Sequence, residues 1–203
     1  MFAWVIVDIV LWGFIARYLQ GVATPGVDFT TALLGAVLIW DFFGRVMYGV
    51  TTSFFEDVWS RNFLNLFASP LTVAEYLTGL VATSTATSLV GLGAMLALAA
   101  AAFGLSYAAI GALFAPYVAT LFLFGVALGV FGVAVVLRFG PAAEWLIWPM
   151  PAMLSPFAGV FYPIATLPEW MRGIAWALPP AHVFEGMRAI LAGGAPAPGS
   201  LAW

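Results

Sequence analysis

The chain has 203 residues, of which 64% are hydrophobic and 7% are charged, whereas a soluble domain has about 45–50% apolar and about 25% charged residues, so a water-soluble fold is excluded. Six basic residues, all arginine, and nine acids give a net charge of −3, which excludes the basic surface that nucleic-acid binding needs. The chain has no lysine, no cysteine and one histidine, which excludes a Walker-loop lysine, thiol chemistry and cysteine-ligated or two-histidine metal sites.

Five stretches are apolar enough to cross a bilayer, because a spanning helix needs about 20 mainly apolar residues. The first stretch lacks a positively charged start, so we predict a retained span rather than a cleaved signal peptide. The fifth contains three prolines, which favour a broken or re-entrant helix. The predicted fold is therefore all-α, a single polytopic membrane domain over residues 1–203. The predicted spans are residues 2–20, 29–53, 77–103, 109–137 and 142–162.

Charged residues lie in the interior of the first two spans. Asp41 and Arg45 are four residues apart, so they share a helix face and can pair. If the first two spans form an antiparallel hairpin, Asp8 lies at a similar depth. The pattern predicts an intramembrane charge cluster. Three roles are open for it: a buried network that fixes the helix pair, a lining of the substrate path, or a proton relay.

The segment at residues 54–68, between the second and third spans, is predicted to be an amphipathic helix on a membrane surface. Its helical wheel separates an apolar side from a polar side, and Ser69 and Pro70 end it. A simple interfacial anchor is the alternative. The apolar side carries Phe55, Trp59, Phe63 and Leu66, and the polar side carries Asp57, Ser60 and Arg61.

Three pairs have the spacing of a capping box, in which a hydroxyl residue is followed three positions later by glutamate. They are Ser53 with Glu56, Thr72 with Glu75, and Thr166 with Glu169. Each pair predicts the start of a helix.

After residue 162 the chain is too polar and too rich in proline to span. We expect two short helices at a membrane surface, at residues 166–178 and 180–192, because Trp170 and Trp176 suit the headgroup layer. His182 and Glu185 lie one helical turn apart, which leaves open a membrane-embedded enzyme. No nucleophile motif accompanies them, and a structural hydrogen bond is the simpler interpretation.

Ordered motifs along the chain resemble the permeases of ABC type-2 exporters. FEDVWSRN at residues 55–62, NLFASPLT at 65–72 and EY at 75–76 resemble the cytoplasmic coupling-helix region of that family. RFG at 138–140, PFAGVFYP at 156–163, LPEW at 167–170 and LPPAHVFEGMR at 178–188 resemble its fifth span and external re-entrant helices.

The resemblance implies a multi-pass subunit of the cytoplasmic, or inner, membrane that pairs with a second permease copy and is not itself an enzyme. Separate ATP-binding-cassette subunits supply ATP hydrolysis, no cofactor is needed, and the substrate route runs between the two copies. The implied coupling residues are Glu56, Asp57, Ser60, Arg61 and Asn62, and the implied external gate comprises Trp170, His182, Glu185 and Arg188.

Two features depart from the family. Glu56 matches a frequent family acid, but Asp57 stands where an arginine is often found. The usual helix before the first span and the sixth span are both missing, so we expect a chain trimmed at both ends. The apolar walls suggest an amphipathic or lipid-linked cargo. The alternative function is a secondary transporter or channel that uses Asp8, Asp41 and Arg45.

Overall fold

Every regular element is helical in the part of the chain that the structure describes. The computed structural model describes residues 2–22, 29–60, 65, 68–104 and 115–191. Four long helices account for most of these residues: α1 (Phe2–Val22), α2 (Phe29–Trp59), α3 (Val73–Phe103) and α4 (Ala115–Phe139). The predicted all-α class is confirmed.

The predicted fifth span is broken, as its prolines indicate. A 3₁₀ turn (Pro141–Ala143) leads into α5 (Glu144–Ile147), and α6 (Met150–Ala158) follows after a break at Trp148 and Pro149. The Tyr48 hydroxyl donates a hydrogen bond to the carbonyl oxygen of Trp148 at 2.6 Å, and the two rings stack with centroids 5.2 Å apart. Tyr48 therefore satisfies a carbonyl at the break, which an unbroken helix would satisfy internally.

Two short helices follow the break. A second 3₁₀ turn (Ile164–Thr166) precedes α7 (Glu169–Trp176) and α8 (Pro179–Leu191). Both helices begin and end within three residues of the predicted bounds, and neither is long enough to span a bilayer.

Three of the described helices are long and apolar enough to cross a membrane: Ala32–Trp59, Val73–Phe103 and Ala115–Phe139. Among them α2 is the most enclosed, and it packs against α1, α3 and α4. Because α2 is apolar on most of its circumference, it can occupy the centre of the bundle. The 21-residue helix α1 remains a predicted span.

Glycines allow α4 to approach α2 closely. Gly125, Gly129 and Gly132 all face α2 or its neighbours and are buried. A Cβ atom on Gly129 would lie 2.8 Å from the Cβ of Val50 and 3.0 Å from the carbonyl oxygen of Met47. Small residues at such spacing are typical of tightly packed membrane helices, where van der Waals contact drives association.

The bundle has two ends, which position different side chains. At the first, here called the Trp59 end, Phe54 and Phe55 of α2 pack with Leu80 and Val136. At the other, here called the α8 end, Phe184 of α8 packs in a cluster that includes residues of α2 and α4. That cluster contains Ile39, Phe43, Tyr117, Leu121 and Val183.

The helix does not end at residue 53, the predicted end of the span, because α2 continues without interruption to Trp59. The Ser53 hydroxyl donates to the carbonyl of Gly49 at 3.0 Å, so the predicted capping box with Glu56 does not form. Burial of Phe54 and Phe55, which are 1% and 2% exposed, extends the packed part of the helix beyond the predicted span. Of the predicted segment 54–68, residues 61–64, 66 and 67 lie outside the described residues.

The other two capping boxes have opposite outcomes. The Thr72 box is confirmed: its hydroxyl accepts the N–H of Glu75 at 3.3 Å, and the Glu75 carboxylate accepts the Thr72 N–H at 2.8 Å. The Thr166 box is wrong, because its hydroxyl donates to the carbonyl of Pro163 at 2.7 Å within the 3₁₀ turn. Helix α7 begins instead at Glu169, after an extended Pro168 and with no side-chain cap.

Candidate functional site

The last turn of α2 presents an exposed surface at the Trp59 end. Glu56, Trp59 and Ser60 are exposed, and their spacing of three and four residues places them on one helical face. Trp59 is 54% exposed and touches the ring of Phe55, with centroids 5.9 Å apart. A large aromatic side chain and a carboxylate therefore point away from the bundle together.

Asp57, next to Glu56 in sequence, bonds within the bundle. Its carboxylate accepts a hydrogen bond from the hydroxyl of Tyr76 at 2.8 Å, which joins the last turn of α2 to the first turn of α3. Asp57 is half-buried, so it holds the exposed surface in place. Asp57 and Tyr76 are 19 positions apart in sequence, so only the tertiary fold brings them together.

One sequence expectation for this surface changes in the structure. The helical wheel predicts Trp59 on the apolar side with Phe55, but Phe55 is 2% exposed and Trp59 is 54% exposed. The reason is that Phe55 fills the gap between α2, α3 and α4, while Trp59 lies beyond it. The other two implied coupling residues, Arg61 and Asn62, lie outside the described residues.

An ion pair lies in the middle of α2. The Nε atom of Arg45 donates to Oδ2 of Asp41 at 2.8 Å, and the side chains are 13% and 28% exposed respectively. The predicted pairing is therefore confirmed. Gly91 of α3 lies beside Arg45, because a Cβ atom at Gly91 would be 3.5 Å from Cδ of the arginine. The side chain of Asp8, the third predicted member, lies outside the described residues.

Glu185 and Arg188 fasten α8 to the turn before α7. The Glu185 carboxylate accepts the N–H of Ile164 at 2.7 Å and Nη1 of Arg188 at 2.9 Å, and Nη2 of Arg188 donates to the Tyr162 carbonyl at 2.9 Å. Burial lowers the pKa of Arg188, and the charge of Glu185 opposes this shift. These two implied gate residues therefore join chain segments that are more than 20 residues apart.

The other implied gate residues occupy separate positions. His182 lies 2.9 Å from the Trp176 carbonyl through Nε2, which links the end of α7 to α8. Trp170 is 68% exposed on the outer side of α7. The Glu185 carboxylate accepts from Ile164 and Arg188, so both His182 and Glu185 make structural hydrogen bonds.

Sequence reasoning missed the tyrosines that satisfy these groups. Tyr76 bonds Asp57, Tyr48 bonds the break in the fifth segment, and the Tyr162 hydroxyl donates to the carbonyl of Pro156 at 2.8 Å. The available signal is chemical, since a tyrosine in an apolar helix needs a partner for its hydroxyl. Local spacing does not identify which partner.

The arrangement provides a rigid helical bundle with an exposed surface at one end and a fastened pair of helices at the other. Within the described residues, no group of three histidine, aspartate or glutamate side chains could hold a metal ion. No curated protein matches the chain. A family model described as ABC-2 type transporter matches residues 1–192. Since this match covers nearly the whole chain, the protein belongs to the ABC-2 type transporter family and is a membrane permease component of such a transporter.

Proposed function

We propose that the chain forms the substrate route of an ABC exporter as a dimer, and that separate ATP-binding-cassette subunits drive it through the Trp59 end. The observation that carries this proposal is the exposed face of Glu56, Trp59 and Ser60 on the last turn of the most enclosed helix. Family membership supports association with an ATPase subunit.

The packing supports transmission from this surface into the bundle. Phe54 and Phe55 are buried among residues of α3, α4 and the 3₁₀ turn that follows α4, and Asp57 bonds Tyr76 of α3. A closely packed interior has low compressibility and transmits displacement. A force on the last turn of α2 would therefore move α3 and α4 with it, rather than bend a free segment.

The surface has the chemistry of a docking site. Tryptophan is enriched among the residues that contribute most to protein interfaces, and a charge beside it selects the partner by complementarity. Glu56 is exposed beside Trp59, so its carboxylate can meet a partner. The ATPase would thus receive Trp59 in an apolar pocket, with a basic group opposite Glu56.

Replacing these two side chains should separate docking from folding. We expect Glu56→Arg and Trp59→Ala each to lower copurification of the cognate ATPase and its ATP turnover by about tenfold or more, as for residues that anchor an interface. Permease yield should stay normal, because both side chains are exposed. The measurements are pull-down of the ATPase, ATP hydrolysis by the complex and permease yield.

Trp170→Ala is the matched control, because Trp170 is a similarly exposed tryptophan at the α8 end. It should leave copurification unchanged, because it lies far from the Trp59 end. Full ATPase binding and full ATP turnover in both Glu56→Arg and Trp59→Ala would contradict the docking role and favour the alternative that this surface is a lipid anchor. Transport that persists without any ATPase would favour the alternative of a secondary transporter.

Export also requires that the two ends lie on opposite sides of the cytoplasmic membrane. The chain contains no cysteine, so single cysteines report position directly. A Cβ atom added at Gly173 would have no other atom within 4 Å, and Ser60 is exposed, so both sites tolerate substitution. We expect a membrane-impermeant maleimide to label Gly173→Cys in intact cells and Ser60→Cys only in inverted membranes. The reverse pattern would contradict the proposed orientation.

A further inference from the structure

The pair of Asp41 and Arg45 lies far from both ends of α2. Arg45 follows Phe29 by 16 residues and precedes Trp59 by 14, which corresponds to about 24 Å and about 21 Å along a helix rising 1.5 Å per residue. A bilayer has a hydrocarbon core about 30 Å thick. The pair is therefore placed deep in the membrane, beyond the reach of a resting lipid headgroup.

The bond between these residues uses only part of their hydrogen-bonding capacity. A guanidinium has five N–H donors, and Arg45 donates through Nε to Oδ2 of Asp41. Within the described residues, the terminal Nη atoms of Arg45 and Oδ1 of Asp41 have no hydrogen-bond partner. Polar groups in hydrocarbon are costly unless they are satisfied, so these atoms favour a polar ligand.

A glycine borders the guanidinium on the neighbouring helix. The three atoms nearest to a Cβ added at Gly91 all belong to Arg45: Cδ at 3.5 Å, and Nε and Nη1 at 3.9 Å. These are ordinary contact distances, so any larger side chain at this position would extend over the guanidinium. Asp41 is 28% exposed, so the pair can be reached from the surface of the chain. Gly91 is itself buried, so the Arg45 side chain packs directly on the backbone of α3, and a side chain at Gly91 would displace the guanidinium.

The charges define what the pair can accept. Together Asp41 and Arg45 are neutral, so a simple anion or cation would leave a net charge in a medium where an uncompensated charge is expensive. A zwitterion adds no net charge, and guanidinium groups bind phosphate oxygens well. We propose that Asp41 and Arg45 form a transit site for a zwitterionic amphiphile, with its phosphate on Arg45 and its ammonium on Asp41.

This inference rests on the proposed transport function, because only a molecule that crosses the membrane brings a headgroup to this depth. A lipid that merely surrounds the protein keeps its headgroup at the surface. The site therefore acts on cargo during passage, midway between the two ends of α2.

A pair of glycine variants tests the site without touching either charge. Gly91 borders Arg45, whereas Gly93 is two residues away on the same helix, is exposed and has no atom within 4 Å of an added Cβ. Gly91→Leu should lower the affinity of immobilised permease for tritiated short-chain phosphatidylethanolamine by about tenfold, the equivalent of about 1.4 kcal/mol. Gly93→Leu should bind it as wild type does. Equal binding by both variants would overturn the proposal.

Charge variants test whether Arg45 binds the phosphate and Asp41 binds the ammonium. Asp41→Asn should shift preference toward dodecyl phosphate, because the guanidinium loses its own carboxylate, and Arg45→Gln should shift it toward dodecylammonium. Unchanged preference in both variants would show that the pair is only structural. Asp8→Asn and the double variant Asp8→Asn/Arg45→Leu provide a further test. If the single variant lowers folded yield and the double variant restores it, the Arg45 donors bond Asp8, and the proposal is wrong.

Cargo and structural lipid are distinguished with the assembled transporter. The short-chain phosphatidylethanolamine should raise ATP turnover of the wild-type complex and of Gly93→Leu, but not of Gly91→Leu. Binding without any effect on turnover would identify a structural lipid and overturn the transit site. Failure of the ATPase to copurify would instead count against the proposed function, since the binding assay uses the permease alone.

Discussion

Gly129→Leu is expected to abolish the folded permease. A side chain at this position would begin 2.8 Å from the Cβ of Val50 and 3.0 Å from the carbonyl oxygen of Met47, so the backbones of α2 and α4 would have to separate. Overpacking a well-packed core costs about 1–3 kcal/mol, and we expect the upper end of that range or more here. The measurement is the yield of monodisperse protein in detergent, with its thermal unfolding temperature.

Gly93→Leu is the matched control for this prediction. It introduces the same side chain into a long membrane helix, but no atom lies within 4 Å of the added Cβ. Its yield should equal that of wild type. Equal yields for Gly129→Leu and Gly93→Leu would show that α2 and α4 are not in close contact.

Glu185→Leu should destabilise the α8 end more than the double variant with Arg188→Leu. The single change leaves the half-buried guanidinium of Arg188 without its carboxylate and removes the acceptor of the Ile164 N–H. Losing one partner of such a pair costs about 2 kcal/mol or more, because the remaining charge is uncompensated. Removing Arg188 as well should recover part of this loss, but not the part due to Ile164.

Thermal unfolding of the detergent-solubilised protein measures both effects. Glu169→Leu provides the control, since Glu169 is an exposed carboxylate in the neighbouring helix α7 and should change the midpoint little. If the double variant is less stable than Glu185→Leu, then Arg188 stabilises the protein through Tyr162 alone, and the charge pair is not the stabilising feature.

The sequence predicts the elements better than their boundaries. Long apolar stretches identify the helices because a bilayer fixes the length of a spanning segment. Capping patterns are less informative, as Ser53 and Thr72 show. Both precede a glutamate by three residues, but Phe54 and Phe55 pack into the bundle and carry the helix through Ser53. Tertiary packing decides this boundary, and packing is invisible in a local pattern.

The site is predictable only where partners lie on one helix. The pairing of Asp41 with Arg45 follows from a spacing of four. By contrast, Asp57 bonds a tyrosine 19 residues away and Glu185 bonds a backbone N–H 21 residues away. Trp59 shares a helix side with Phe55, as the helical wheel predicts, but it is exposed, because a wheel shows which residues share a face and not where the bundle ends.

The cap of α3 bears on how the protein is made. Thr72 and Glu75 satisfy each other's backbone N–H groups through bonds that span four residues and lie in an exposed position. These bonds require no other helix, so they can form as soon as this stretch emerges from the ribosome. The bonds that begin α3 are therefore available before α4 is synthesised. The starting point of α3 is in this way encoded locally, independently of the packing that joins α3 to α2.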